Sequence, residues 1–303
     1  MNNVGKDLLL AVADLHQVPN GAYSIRENGN SADISSTTNI NIVPKKDKKG
    51  IDIYIKDNTV NESMHIPVII TQTGIKELVY NDFHIGDNCD VLIVAGCGIH
   101  NPSEGESEHS GIHSFHIGKN SKVKYVEKHI GSGSGEKVLN PVTNLEVGEG
   151  STLIMDTIQL GGVSSSIRNT KAILGEKANL IITEKILTNE NQYAETNFDV
   201  DLIGKDSTVD VVSRSVAKGE SKQVFYSKVT GKEKCFGHVE CDAILMDKAV
   251  IKSTPEIVAE CIEATLVHEA AIGKIAGDQM IKLMTLGLDE KEAEDMIIKG
   301  FLA

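Results

Sequence analysis

Five cysteines and ten histidines are the residues of this chain best suited to chemistry. They fall largely into two groups. The first is Cys97-Gly98-Ile99-His100, followed by His109, His113, His116 and His129. Thiol and imidazole together suit borderline or soft metals. The spacing matches no closed zinc site, because no second Cys-x-x-Cys follows. The group therefore reads either as an open metal site or as a loop of partly exposed histidines. The second group is Cys235, Cys241, Cys261, His268 and Glu269. Thiolates select iron–sulfur chemistry and zinc, and a histidine or carboxylate replaces a thiolate where a cluster has to be released. The competing reading is buried structural thiols, which is preferred for Cys89.

Other chemistries find no foothold. Gly131-Ser132-Gly133-Ser134-Gly135-Glu136-Lys137 is glycine-rich but lacks the Gly-Lys-Ser/Thr ending of a nucleotide-binding loop and opens no obvious helix, so it reads as a flexible turn. No Gly-x-Ser-x-Gly elbow and no His-Glu-x-x-His occurs. A net charge of −13 argues against nucleic acid or an anionic membrane as the main partner, since phosphate binding needs a cationic face. No stretch approaches the roughly 20 apolar residues of a membrane helix. No secretory n-region or cleavage site is visible, which gives a cytoplasmic expectation.

The elements that must position these residues are strands. From about Ile51 to about Ile257, short Val/Ile runs alternate with Gly, Asn and Asp turns. A repeat runs through them: a glycine, two polar residues, a small residue, a spacer, then an aliphatic that starts an alternating strand. It occurs at Gly86–Val91, Gly118–Val123, Gly148–Leu153, Gly175–Leu180 and Gly204–Val209, with a degenerate copy at Met246–Ile251. Unequal spacing suits a parallel β-helix, in which stacked coils bury each other and turns absorb insertions. The fourth place (Cys89, Ser121, Ser151, Ala178, Ser207, Ala249) forms an inward stack at a tight corner. With 4% aromatics and no Trp, the core is built from Ile, Val, Leu and Ala.

Alternation sets the faces. Val123, Tyr125, Glu127 and His129 share one, matched by Val91, Ile93, Ala95 and Cys97, by Leu153, Met155, Thr157 and Gln159, and by Leu180, Ile182, Glu184 and Ile186. If these point inward, Cys97 and His129 become neighbours and a polar column runs through the core, as in a solvated channel. If the register is off by one, the same residues face water. The expected organisation is a helix (around Lys6 to Leu15) and loop segment over 1–50, a β-helix core over 51–257, and a helical domain over 258–303. In the last part, Asp278 to Leu286 forms one helix, and Asp289 caps a second that ends at Lys299 with Gly300 as C-cap.

Glu240-Cys241-Asp242-Ala243-Ile244-Leu245, Thr254-Pro255, His268-Glu269-Ala270, Gly273-Lys274-Ile275, Asp278-Gln279 and Gly300-Phe301 together resemble the C-terminal half of the SufB/SufD proteins of the SUF iron–sulfur cluster assembly system. Phe115 to Pro141 resembles short SufB-like members from anaerobic microbes. The resemblance covers roughly residues 84 to 302. It implies a right-handed parallel β-helix with a small helical C-terminal domain and a non-catalytic scaffold role. The implied partners are a SufC-like ABC-type ATPase docking on the C-terminal helices, a second copy or a SufB/SufD paralogue, and a sulfur-donating desulfurase. The implied cargo is a transient iron–sulfur cluster, with reduced flavin as an open second cofactor.

Carried over by residue, Cys241 sits at the cluster-forming cysteine and His268-Glu269 at the family's His-Glu pair. Cys97, Cys261 and His129 are second-tier candidates. Val267 stands where SufB has an acidic residue. Glu146 stands where longer SufB proteins have a sulfur-accepting cysteine, which leaves Cys97 as a substitute. Two rivals stand beside this reading: a SufD-like structural partner that holds no cluster, and a β-helix enzyme acting on acidic polysaccharide. The negative charge, the absence of Trp and the lack of a visible signal peptide weigh against the second.

Overall fold

A computed structural model describes residues 2–13, 15, 19 and 21–303. Among these residues, two ten-stranded sheets face each other across one core. The first sheet stacks Ala22–Glu27, Val60–Ile70, Asp90–His100, Lys122–Ser132, Thr152–Leu160, Asn179–Thr188, Ser207–Ala217, Cys235–Leu245 and Thr265–Gly273, all parallel, with Asn30–Ser35 antiparallel at one end. The second stacks Gly50–Ile55, Lys76–Ile85, Glu106–Ile117, then Glu136–Leu139 with Val142–Val147, then Ser165–Leu174, Tyr193–Leu202, Lys222–Gly231 and Val250–Ala259. Ile40–Pro44 lies antiparallel at its end. The chain alternates between the two sheets, which makes a parallel β-helix.

The repeat is legible in backbone angles. Its third residue is Asn88, Asn120, Gly150, Lys177 or Asp206, with φ between +52° and +67° in all five. That left-handed step turns the chain into the next strand, and it favours Asn, Asp and Gly. The small fourth residue satisfies the corner's backbone. Ser121 Oγ accepts from Cys89 N–H at 2.9 Å and donates to Gly86 O at 2.8 Å, and Ser151 Oγ repeats the pattern one coil on. The residues of that stack, Cys89, Ser121, Ser151, Ala178 and Ser207, are all buried.

Ala249 does not belong to it. Val250–Ala259 lies in the second sheet, so Met246–Ile251 builds the opposite corner, with its left-handed residue, Asp247, one place earlier. The sixth inward place belongs to Cys235, paired with Ser207. The interval between Gly204 and Met246 thus conceals a whole coil whose turn, Lys232-Glu233-Lys234, carries no glycine.

Strands also occupy much of the loop expected within residues 1–50, because antiparallel hairpins close the first coil there. At the other end the first sheet continues to Gly273, beyond 257. Helix α1 (Asn3–Ala13) packs Leu8 and Val12 on the outside of the first sheet over Gly96 and Gly98. A Cβ at either glycine would lie 3.0 Å from those side chains. Helix α2 (Gly277–Thr285) buries no residue. Helix α3 (Glu290–Phe301) begins at a capping box made by Asp289 and Glu292. It runs through Gly300 rather than stopping there, because Ile298 and Leu302 pack against Val216.

Candidate functional site

The sheet register settles which way the polar residues face. Cys97 pairs with His129, and Ala95, Glu127, Thr157, Glu184, Ser213, Cys241 and Ala270 form one column across successive coils. Register neighbours share a face, and Glu127, Thr157, Glu184, Ser213 and Cys241 are all buried. The inward reading holds and the water-facing one does not.

The middle of this column is a charged network. Arg168, from the second sheet, reaches across the core and donates to Glu127 Oε2. Tyr125 O–H donates to Glu127 Oε1 at 3.0 Å. Its single proton is then used, so His113 Nδ1, 3.0 Å from the same hydroxyl, is the donor in that contact. His129 Nδ1 stands 3.4 Å from Arg168. Glu184 accepts from Thr196 at 2.9 Å and from Ser213 at 2.8 Å. Burial pushes the Glu127 carboxyl up, but Arg168 and then His129 outweigh it and hold it well below the usual range. Burial depresses His113 to about 4 and also lowers His129. Burial, reinforced by Glu77 and Glu127, keeps Cys97 a protonated thiol.

Of the histidines in the first group, His109, His113 and His129 face this interior, and His109 Nδ1 lies 3.1 Å from Glu77 Oε1. His100 bonds Ser132 near the surface. His116 is on the outer face, 2.7 Å from Glu146 Oε2 and stacked on His84, beside an open groove of about 720 Å³. Among the described residues, no group of three or more His, Cys, Asp or Glu side chains is arranged to hold a metal ion. The first group is therefore split between core and surface.

The second group sits where the β-helix ends. Thr265–Gly273 and Val250–Ala259 are the outermost strands of their sheets. Cys241 lies one coil in from that end and pairs with Ala270, while His268 pairs with the buried Val239 and so faces the interior. Neither ring nitrogen of His268 has a hydrogen-bond partner among the described residues. Burial, then His238, lowers its pKa. Burial, helped by Glu184, pushes the Cys241 thiol up to about 11, and the Ser253 hydroxyl lies beside it. Glu269 pairs with Glu240 on the opposite, outer face and is exposed. Cys261 occupies the turn before the terminal strand and is only partly buried. The structure thus brings Cys241 and His268 to one side and leaves Glu269 and Cys261 apart from them.

Arg168 is the interior residue that the sequence reading passes over. Its signal was available: in Ser165–Leu174 it falls in phase with Ala172 and Leu174, which are buried. Ser213 and Ser253 gave no comparable sign, because small polar residues occur on both faces of a strand.

Residues 79–301 match the family described as SUF system FeS cluster assembly, SufBD core domain. An iron-sulfur cluster assembly SufBD family protein of Pyrococcus horikoshii is 30% identical over 257 residues, 84% of this chain and 57% of that protein. One from Archaeoglobus fulgidus is 30% identical over 229 residues, 75% of this chain and 61% of its own. One from Methanocaldococcus jannaschii is 27% identical over 241 residues, 79% and 76% of the two chains. The chain belongs to the SufBD family of iron–sulfur cluster assembly proteins. It spans only 57% and 61% of the length of the first two relatives. No helix among the described residues is long and apolar enough to cross a membrane.

Proposed function

We propose that this chain is a SufB-like scaffold on which an iron–sulfur cluster is assembled as cargo, working as a dimer with a SufC-like ATPase subunit and receiving sulfur from a desulfurase. The observation that carries the reading is the end of the β-helix. There a thiol and an imidazole without a hydrogen-bond partner among the described residues face the same interior, next to the edge strands of both sheets. Such edges accept strands from another chain. Helix α2 supports an ATPase docking role, since Ile281 within it is 60% and Leu286 at its C-cap 76% exposed.

In this reading Cys241 supplies the thiolate, and His268 and Glu269 are exchangeable ligands. Cys241 is buried and protonated with the terminal strand in place, so iron binding requires that strand to move. ATP-driven rearrangement of the dimer supplies the movement. A displaced strand also carries Glu269 away from its present outer face. Cys97 is an unsuitable sulfur acceptor in the closed state, since a sealed, protonated thiol is a poor nucleophile.

Anaerobic reconstitution with iron and sulfide, in the presence of the candidate ATPase, tests this by visible absorption and Mössbauer spectra beside Cys241→Ser. A cluster in the parent that fails in the variant is the expected result. No cluster in either, with the ATPase still bound, makes the chain a structural partner. No cluster and no ATPase binding removes the scaffold reading.

A further inference from the structure

The buried arginine stands between two glutamates, and two of the contacts in its network stop short. Arg168 Nε is 3.9 Å from Glu184 Oε1, and His129 Nε2 is 3.5 Å from Glu127 Oε1. At these lengths a direct hydrogen bond is weak, and a water beside the pair can join the two groups. Each gap opens on a small cavity. One, of about 10 Å³, is lined by Thr157, Gln159, Ser166, Arg168, Glu184 and Thr196. The other, of about 20 Å³, is lined by Asn81, Cys97, His109, His113, Glu127 and His129 among others. A water needs a void of roughly 10–15 Å³ and two to four polar partners, so each cavity takes one and neither takes a larger solute.

Thr157 gives a separate indication. The residue is 1% exposed and lines the smaller cavity, and no group among the described residues hydrogen-bonds its hydroxyl. Its register neighbours in the column are Glu127 and Glu184. A buried hydroxyl without a partner is costly, and native interiors seldom tolerate one.

We propose that each cavity is a binding site for one structural water. The first accepts from Arg168 Nε–H, donates to the Glu184 carboxylate and bonds Thr157 Oγ. The second joins His129 to Glu127 beside the Cys97 thiol. Arg168 then serves Glu127 directly and Glu184 through water. Because the Arg168–Glu127 pair stands between the two cavities, the polar interior is a pair of separate hydration sites and not a continuous solvated channel.

Atomic-resolution crystal structures of the parent, Thr157→Val and Thr157→Ser test this. The parent should show one water-like density peak in each cavity. Thr157→Val should lose the first and keep the second, and Thr157→Ser should keep both. In solution, water-oxygen magnetic relaxation dispersion should count one fewer long-lived water for Thr157→Val. Empty cavities in the parent would overturn the proposal, as would Arg168 Nε bonded directly to Glu184, a chain of waters running past Arg168, or a peak with the anomalous signal of a heavier atom. The parent structure decides the matter even if the valine variant fails to fold.

Discussion

The middle of the interior and its C-terminal end are built from the same inward column, yet they are finished differently. At Glu127 the carboxylate meets an arginine, a tyrosine and a histidine, and coils cover it on both sides. At Cys241 and His268 the column meets the last coil, and the imidazole has no hydrogen-bond partner among the described residues. In a solenoid each coil is buried only by its neighbours, so position along the axis decides what a polar residue can do. In the middle it must be satisfied internally. At the end it remains available to a ligand or a partner chain.

That contrast is broken most directly at Arg168. Arg168→Met leaves Glu127 as a buried, uncompensated charge, a change that typically costs about 3–5 kcal/mol. Cys241→Ser, by contrast, should stay within about 1–2 kcal/mol of the parent. Urea unfolding of both variants checks this, and near-equal losses would end the distinction between a satisfied middle and an available end.

Acid should find the middle next. The folded-state pKa of His113 is about 4, against 6.5 ordinarily. A base with a depressed pKa favours the folded state above its unfolded value. Its contribution is therefore complete above about pH 6.5 and lost as pH falls toward 4, up to roughly 3 kcal/mol. Glu77, held at about 2 by His109 and Arg26 against its burial, adds a loss that begins below its ordinary range near 4.5. Stability measured between pH 7 and 4 should fall steeply, and His113→Gln should flatten the upper part of that fall.

Thiol reactivity sharpens the comparison further. Cys261 is only partly buried and should alkylate first. Cys241 should follow through displacement of the terminal strand, and Cys97 only on global unfolding. Mild denaturant should therefore separate the last two rates at least about tenfold, since local opening is cheaper than global unfolding. Equal rates would place Cys241 as deep as Cys97. The smallest effect is expected at the cap of α3. Asp289→Ala should cost about 1 kcal/mol, read as faster hydrogen exchange across Glu290–Phe301 with no change around Arg168.

Much of this arrangement is present in the order of the residues. The alternation in Val123-Lys124-Tyr125-Val126-Glu127 fixes a face, and the corner repeat fixes where each strand starts, so Cys97 and His129 could be placed side by side without coordinates. The repeat works because two local constraints, a left-handed residue and a small side chain, are written in residue type. The same rule failed at Lys232-Glu233-Lys234, where the turn closes without either glycine or asparagine, and at Ala249, where the opposite corner uses a similar set of residues. Tertiary structure alone decided the rest. Arg168 meets Glu127 from 41 residues away, through pairing across the core that no local pattern specifies. His268 and Glu269 are adjacent in sequence but lie on opposite faces, because a strand turns successive side chains apart. That the pair with Cys241 stands at an open end follows from where the stacking of coils stops. Stacking depends on neighbours far apart in the chain, so the residue types at the site do not reveal it.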